Sequence, residues 1–238
     1  MLEAVEKATT TSPGPAPRDL NDAFLGAAYG RAYRCMRSIR ELACRGEADD
    51  ALILTRSLLL IVARALYLVE PEDPAERERR FASARRSWAR EALHTLDDLA
   101  ATGFEPADDR EPLAHIEEAE KARGVPFLPK DRQLLTDLGL SAYYARVYRL
   151  ASETVHYSLG SALHGFAEYP DPVSGGGGVL LKNPDGERAE DALALAAITY
   201  GEFLERCEPI IRHGVSEPAH RAMAEYFEDR KNAPDPGA

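Results

Sequence analysis

The sequence predicts an all-α fold, a single-domain helical bundle of about eight helices, and three observations carry that prediction. Apolar residues recur at helical spacing over long stretches. The strongest breakers, Gly46, Pro71, Gly103, Gly124 and the run 170–178, fall between those stretches. No segment alternates apolar and polar residues long enough to build a sheet, and no internal repeat is evident.

Residues 1–18 are polar, rich in Thr, Pro and Ala, and lack the apolar centre of a secretory signal; they are expected to form a disordered lead-in. The helical domain is expected over 19–230. Its first helix runs from about Leu20 to Arg45, with Phe24, Tyr29, Tyr33, Met36 and Ile39 as its apolar stripe and Gly46 as its stop. Asp49 or Asp50 caps a second helix, and Leu52 to Val69 is apolar nearly all round, as a central helix covered on every side should be.

Pro71 ends that helix. Asp73-Pro74-Ala75-Glu76 then supplies an N-cap, a proline at the first helical position and the glutamate of a capping box, starting a third helix that reaches Thr102. A fourth helix spans Glu111 to Ala122 and stops at Gly124. Val125 to Pro129 connects it to a brief helix over Asp131 to Leu138, which leads into a long helix carrying Tyr143 to His164.

Pro170 to Gly178 must be loop, because neither helix nor sheet tolerates that density of Pro and Gly. Val179 to Lys182 is read as surface loop, or as one arm of a small hairpin closing at Asn183-Pro184-Asp185-Gly186. A further helix covers Ala189 to His213, Ser216-Glu217-Pro218 starts the last one, and 231–238 is a Pro-rich tail.

Composition narrows the function classes. The 45% hydrophobic and 29% charged content suits a chain with a sizeable buried core. Cys35, Cys44 and Cys207 make an odd count without a CxxC pair, so neither a disulfide framework nor a zinc knuckle is indicated and the expected compartment is the cytoplasm. The apolar run Ser57–Val69 is 13 residues long and broken by Arg64, against about 20 for a membrane span, so no membrane partner is expected. The net charge of −11 opposes nonspecific binding to nucleic acid, although a local basic patch can override it.

On the long helix, a turn of about 100° per residue brings Arg149, Ser152, Glu153 and His156 onto one polar stripe, while Tyr143, Tyr144, Val147, Tyr148, Leu150, Val155 and Leu159 dock the other side into the core. Arg149 and Glu153 have the spacing of an ordinary surface ion pair. Alternatively, His156 exchanges a proton near neutral pH beside a permanent cation, a pairing suited to a phosphodiester. Arg149, Ser152, Glu153 and His156 are therefore the catalytic candidates.

The form Arg149-x6-His156 resembles the R-x4-6-H motif of HEPN-type ribonucleases. The resemblance implies an all-helical protein that dimerises to build a shared RNA-cleaving site, of the kind used in bacterial defence or toxin systems. On that resemblance His156 handles the proton of the attacking 2′-hydroxyl or of the leaving group, and Arg149 stabilises the phosphate, without metal or cofactor. Leu150 departs from the Asn, Asp or His that HEPN enzymes often place after the arginine.

Thr55-Arg56-Ser57-Leu58-Leu59, Asp73-Pro74 through Arg80-Phe81, and Tyr148-Arg149-Leu150-Ala151-Ser152-Glu153-Thr154-Val155-His156 resemble the bacterial domain-of-unknown-function family 5677. That family often has Glu where this chain has Leu60. Arg56, inside an apolar helix, must either find a partner in Glu153, Glu70 or a ligand anion, or carry its head to solvent. Arg56 and Tyr148 are substrate-binding candidates.

Between 77 and 90 the third helix carries six arginines and one glutamate. Arg80, Arg85 and Arg86 are candidates for phosphate contact, with Trp88 as a stacking face; pairing with the acidic stretch Glu117-Glu118-Glu120 explains the same residues. His156 and His164 lack further ligands at zinc spacing, and Gly175–Gly178 lacks the Lys-Ser/Thr of a phosphate loop. A non-catalytic helical module that binds a protein or a small anion through the same polar stripe is the competing expectation.

Overall fold

Helix ends set the architecture, and the residues that make them are local. The computed structural model describes residues 20–103, 110–148, 166–170, 177–181 and 186–211, with isolated positions between 217 and 228. Helix α1 spans Leu20–Cys44. Gly46 ends it in a left-handed conformation, φ 72°, with its N–H on Ala43 O and that of Glu47 on Leu42 O, the paired bonds of a Schellman cap.

The buried stripe of α1 is Leu25, Tyr29, Ala32, Met36 and Ile39. It is shifted from the expected one: Phe24 is exposed and Tyr33 half-buried. Leu25 and Phe24 are adjacent and equally apolar, so periodicity alone does not choose between them.

Helix α2 spans Ala48–Val69. It starts before the expected cap, so Asp49 and Asp50 sit in its first turn, where their charge complements the helix dipole. By length and composition α2 is long enough to cross a membrane, but 61% of its most apolar window is buried within the fold, as in a core helix.

Two compact units are present: Tyr67–Leu134, and the remainder, with Met1–Leu66 and Leu135–Ala238. In the larger one, α7, Gly186–Ile211, packs against α1. Its face of Ala189, Ala192, Ala196, Thr199, Tyr200, Phe203, Leu204 and Cys207 is buried throughout. The Phe203 ring meets Tyr29 at 6.3 Å and Tyr200 at 6.4 Å between centroids, in tilted arrangements that aromatic quadrupoles favour. Thr55 Oγ1 lies 2.8 Å from Ala51 O and 3.3 Å from Ala192 O, so its hydroxyl ties α2 to α7.

The smaller unit is built on α3, Pro74–Ala101, and α4, Arg110–Ala122. Asp73 caps α3 by accepting from Ala75 N at 3.0 Å, and Pro74 follows as expected. The capping box takes a different form: both oxygens of Glu76 accept from Arg79 and Arg80. Two guanidiniums one turn ahead outcompete a single backbone N–H.

After α4 comes a connector, then α5, Asp131–Asp137, and the short α6, Ser141–Tyr143, which runs into a π-helical turn over Tyr144–Tyr148. The helical class expected from the sequence is what the structure has, with one exception. Strand β1, Phe166–Pro170, pairs antiparallel with β2, Gly177–Leu181, in register from Phe166↔Leu181 to Pro170↔Gly177. Hence the arm containing Val179 turns back to the residues before the glycine run rather than closing at 183–186. Pro170 ends its strand, where its missing N–H removes least from the ladder. Glu217 and Arg221, both helical, pair at 2.9 Å in the region of the expected last helix.

Candidate functional site

The approach to Arg149 is a turn of unusual geometry. Leu140 is buried, α6 follows, and over Tyr144–Tyr148 the backbone bonds i to i+5, with Val147 fully buried beneath it. A π turn takes up more residues than an α turn and is often found at functional sites, so the spacing of 100° per residue does not extend back through it. Tyr143, half-buried on the preceding turn, has its phenol pKa raised by burial and by the charge of Glu202 on α7.

Arg149, Ser152, Glu153 and His156 themselves lie outside the described residues, as does the side chain of Tyr148. Arg56 is half-buried on α2 between Thr55 and Ser57, whose hydroxyl donates to Ile53 O at 3.1 Å.

The arginines of α3 are fully placed. Arg77 donates through Nε and Nη2 to Pro71 O at 3.2 and 2.7 Å. Arg80 donates to Tyr67 O at 2.8 Å, stacks 4.3 Å above the Tyr67 ring and pairs with Glu76 at 2.9 Å. Hydrogen bonds from Arg79, then Arg80, bring the Glu76 carboxyl down to about 2. Arg85 bridges Glu78 at 2.8 Å and Glu120 at 2.9 Å. Burial acts to lower the Arg85 pKa, but these hydrogen bonds outweigh it and the net direction is upward.

Arg86 donates to Val125 O, lies 3.8 Å from Glu117 and stacks 4.1 Å over the Phe127 ring. Arg90 reaches the same ring at 4.9 Å and the same carboxylate at 3.8 Å. Ser87 accepts from Leu128 N at 2.7 Å, so Arg86, Ser87 and Arg90 together hold the connector on α3. The acidic stretch of α4 therefore meets the arginines of α3. Trp88 is exposed, and as it lies two residues from both Arg86 and Arg90, about 200° round the helix, it does not share their face.

The expected pairing of these arginines with the Glu117-Glu118-Glu120 stretch is present at Glu117 and Glu120; sequence reasoning missed Phe127 and the Val125 carbonyl as further partners. A signal was present in Lys121-Ala-Arg123-Gly-Val-Pro-Phe127-Leu-Pro-Lys130, an aromatic residue flanked by basic ones. Among the described residues no group of three or more His, Cys, Asp or Glu side chains is placed to hold a metal. Cys35, Cys44 and Cys207 are free thiols, and burial pushes Cys207 up to about 12, far from a nucleophilic thiolate.

The model of a family of unknown function, DUF5677, matches residues 22–170, more than half of the chain. The chain belongs to the DUF5677 family. The DUF5677 segment takes in α1 to α6, β1 and the whole Arg149–His156 stretch, and leaves out α7, which supplies much of the packing against α1. No curated protein and no solved structure matches the chain.

Proposed function

We propose that this DUF5677 protein is a HEPN-like, metal-independent endoribonuclease, a toxin-type effector of bacterial defence that works in the cytoplasm as a homodimer. The observation that carries the reading is the Arg149-x6-His156 spacing, with Ser152 and Glu153 between, inside the family segment of a helical protein. The π turn that leads into the motif supports it, since such turns concentrate where a helix is bent to a task. His156 takes the proton of the 2′-hydroxyl as that oxygen attacks the adjacent phosphorus, or returns a proton to the leaving 5′-oxygen; Arg149 compensates the added negative charge on the phosphoryl oxygens.

The test is cleavage of a labelled RNA by the purified chain and by His156→Ala and Arg149→Ala. Each substitution is expected to lower the cleavage rate by about 100-fold or more, with an unchanged helical circular dichroism spectrum. Cleavage undiminished in His156→Ala rules the mechanism out.

Leu150, where HEPN enzymes often carry a polar residue, favours a second reading: a non-catalytic helical module that binds a protein partner or a small anionic ligand through the same stripe. That reading predicts RNA left intact by the wild-type chain and a ligand affinity that falls when Arg149 is removed.

A further inference from the structure

Within the smaller unit, the ion pairs on the α3–α4 face are lopsided in exposure. The carboxylates are turned inward, with the side chains of Glu120 and Glu117 only 8% and 17% exposed, while their partners Arg123 and Arg90 are 56% and 50% exposed. Beside Arg86 and Arg90 stands Phe127, 38% exposed although both guanidiniums lie within 5 Å of its ring centre. Lys130, exposed, follows three residues later with the half-buried Asp131 next to it, and Glu118 on α4, exposed, is paired with Lys121 at 3.2 Å. A partly exposed ring polarised by Arg86 and Arg90, on a connector flanked in sequence by exposed Arg123 and Lys130, has a natural complement: a flat π-system attached to phosphates.

We infer that the Phe127 connector is a stacking platform for single-stranded nucleic acid, on which a base packs against the open part of the Phe127 ring while Arg90, Arg123 and Lys130 contact the flanking phosphates. Part-buried anchors suit the task. Arg86 on the Val125 carbonyl and Ser87 on Leu128 N fix the connector in advance, so little ordering entropy is lost when a strand docks. Arg80 and Arg85, held by Glu76, Tyr67 O, Glu78 and Glu120, are only 24% and 28% exposed, whereas Arg90 and Arg123, though also paired, are at least half exposed and better placed to reach a phosphate. It reads no base identity, because every base has a π-face.

The test is fluorescence anisotropy of the full chain with a short fluorescein-labelled oligouridylate and its oligothymidylate counterpart, as a function of salt. Wild type binds both at low salt, and Phe127→Leu, which keeps apolar packing and loses the ring, lowers affinity about tenfold or more. Phe127→Trp retains it. Arg90→Ala reduces the slope of log affinity against log salt by about 0.7, one phosphate contact on a single strand.

Failure of the wild type to bind at low salt overturns the inference, as does equal affinity of Phe127→Leu and wild type, or equal loss in Phe127→Leu and Phe127→Trp. The readout is binding and does not involve Arg149 or His156. A chain that binds the strand and leaves RNA intact removes the ribonuclease and keeps the platform; one that cleaves RNA without a role for Phe127 does the reverse.

Discussion

Glu120 shows how much a single buried carboxylate organises. It accepts from Arg85 and from Arg123 at 2.7 Å and is itself buried, so removing it leaves the largely buried Arg85 facing a void, while Arg123 keeps its access to water. Glu120→Ala is expected to cost about 3 kcal/mol, at the low end for a broken buried pair because Arg85 keeps contact with water and Glu78; urea unfolding measures it. Glu76 acts on pH dependence instead. Its carboxyl drops from 4.5 to about 2 in the fold, so between those values the unfolded chain binds the extra proton. Stability from Glu76 is therefore complete above pH 4.5 and is lost as pH falls toward 2, and Glu76→Gln should flatten that part of a stability–pH curve. The pairs themselves were half legible: the match of basic α3 to acidic α4 is visible in charge alone. Which arginine meets Glu120, 35 positions away, and which stacks on Phe127 depends on how two helices lie together, and sequence spacing carries no such information.

At the scale of elements, stops were more legible than faces. Gly46 and Gly124 were readable because a left-handed residue after a helix favours glycine, and both hold positive φ with paired Schellman bonds. No atom would meet a Cβ at Gly124, so Gly124→Ala isolates the backbone cost: about 1 kcal/mol, measurable as a lower midpoint in thermal unfolding. The face of α1 was misread by one residue at Phe24 because two neighbouring apolar side chains offer the same periodicity, and tertiary packing decides between them. The hairpin was misread because strand pairing across a Pro- and Gly-rich run is a long-range choice, and Phe166–Pro170 has no alternation of its own to announce it. Phe203, fully buried between Tyr29 and Tyr200, is the element-level contact most exposed to a test. Phe203→Ala should cost about 3–5 kcal/mol and separate α7 from α1, seen as a large drop in the denaturation midpoint.

For the whole molecule, net charge constrains the proposed function. A net charge of −11 repels nucleic acid at long range, so the proposed ribonuclease would meet RNA only through local features, for which the Arg149–His156 motif and the Phe127 connector are the candidates. Helix α7 lies beyond the DUF5677 segment, yet its buried face completes the core of the larger unit. A chain ended before Gly186 is expected to lose cooperative thermal unfolding by circular dichroism even though every residue of the family match is retained. The fold class was legible because helical periodicity is written into each segment separately; the catalytic stripe was legible only as spacing, and spacing names candidates without bringing them together. The direct measurement is cleavage of an RNA and of its all-2′-deoxy counterpart by the wild-type chain in excess chelator. The account predicts that the RNA is cut and the deoxy strand is left whole, since the attacking group is the 2′-hydroxyl and no metal takes part; an RNA that stays intact, or a deoxy strand cut equally well, contradicts it.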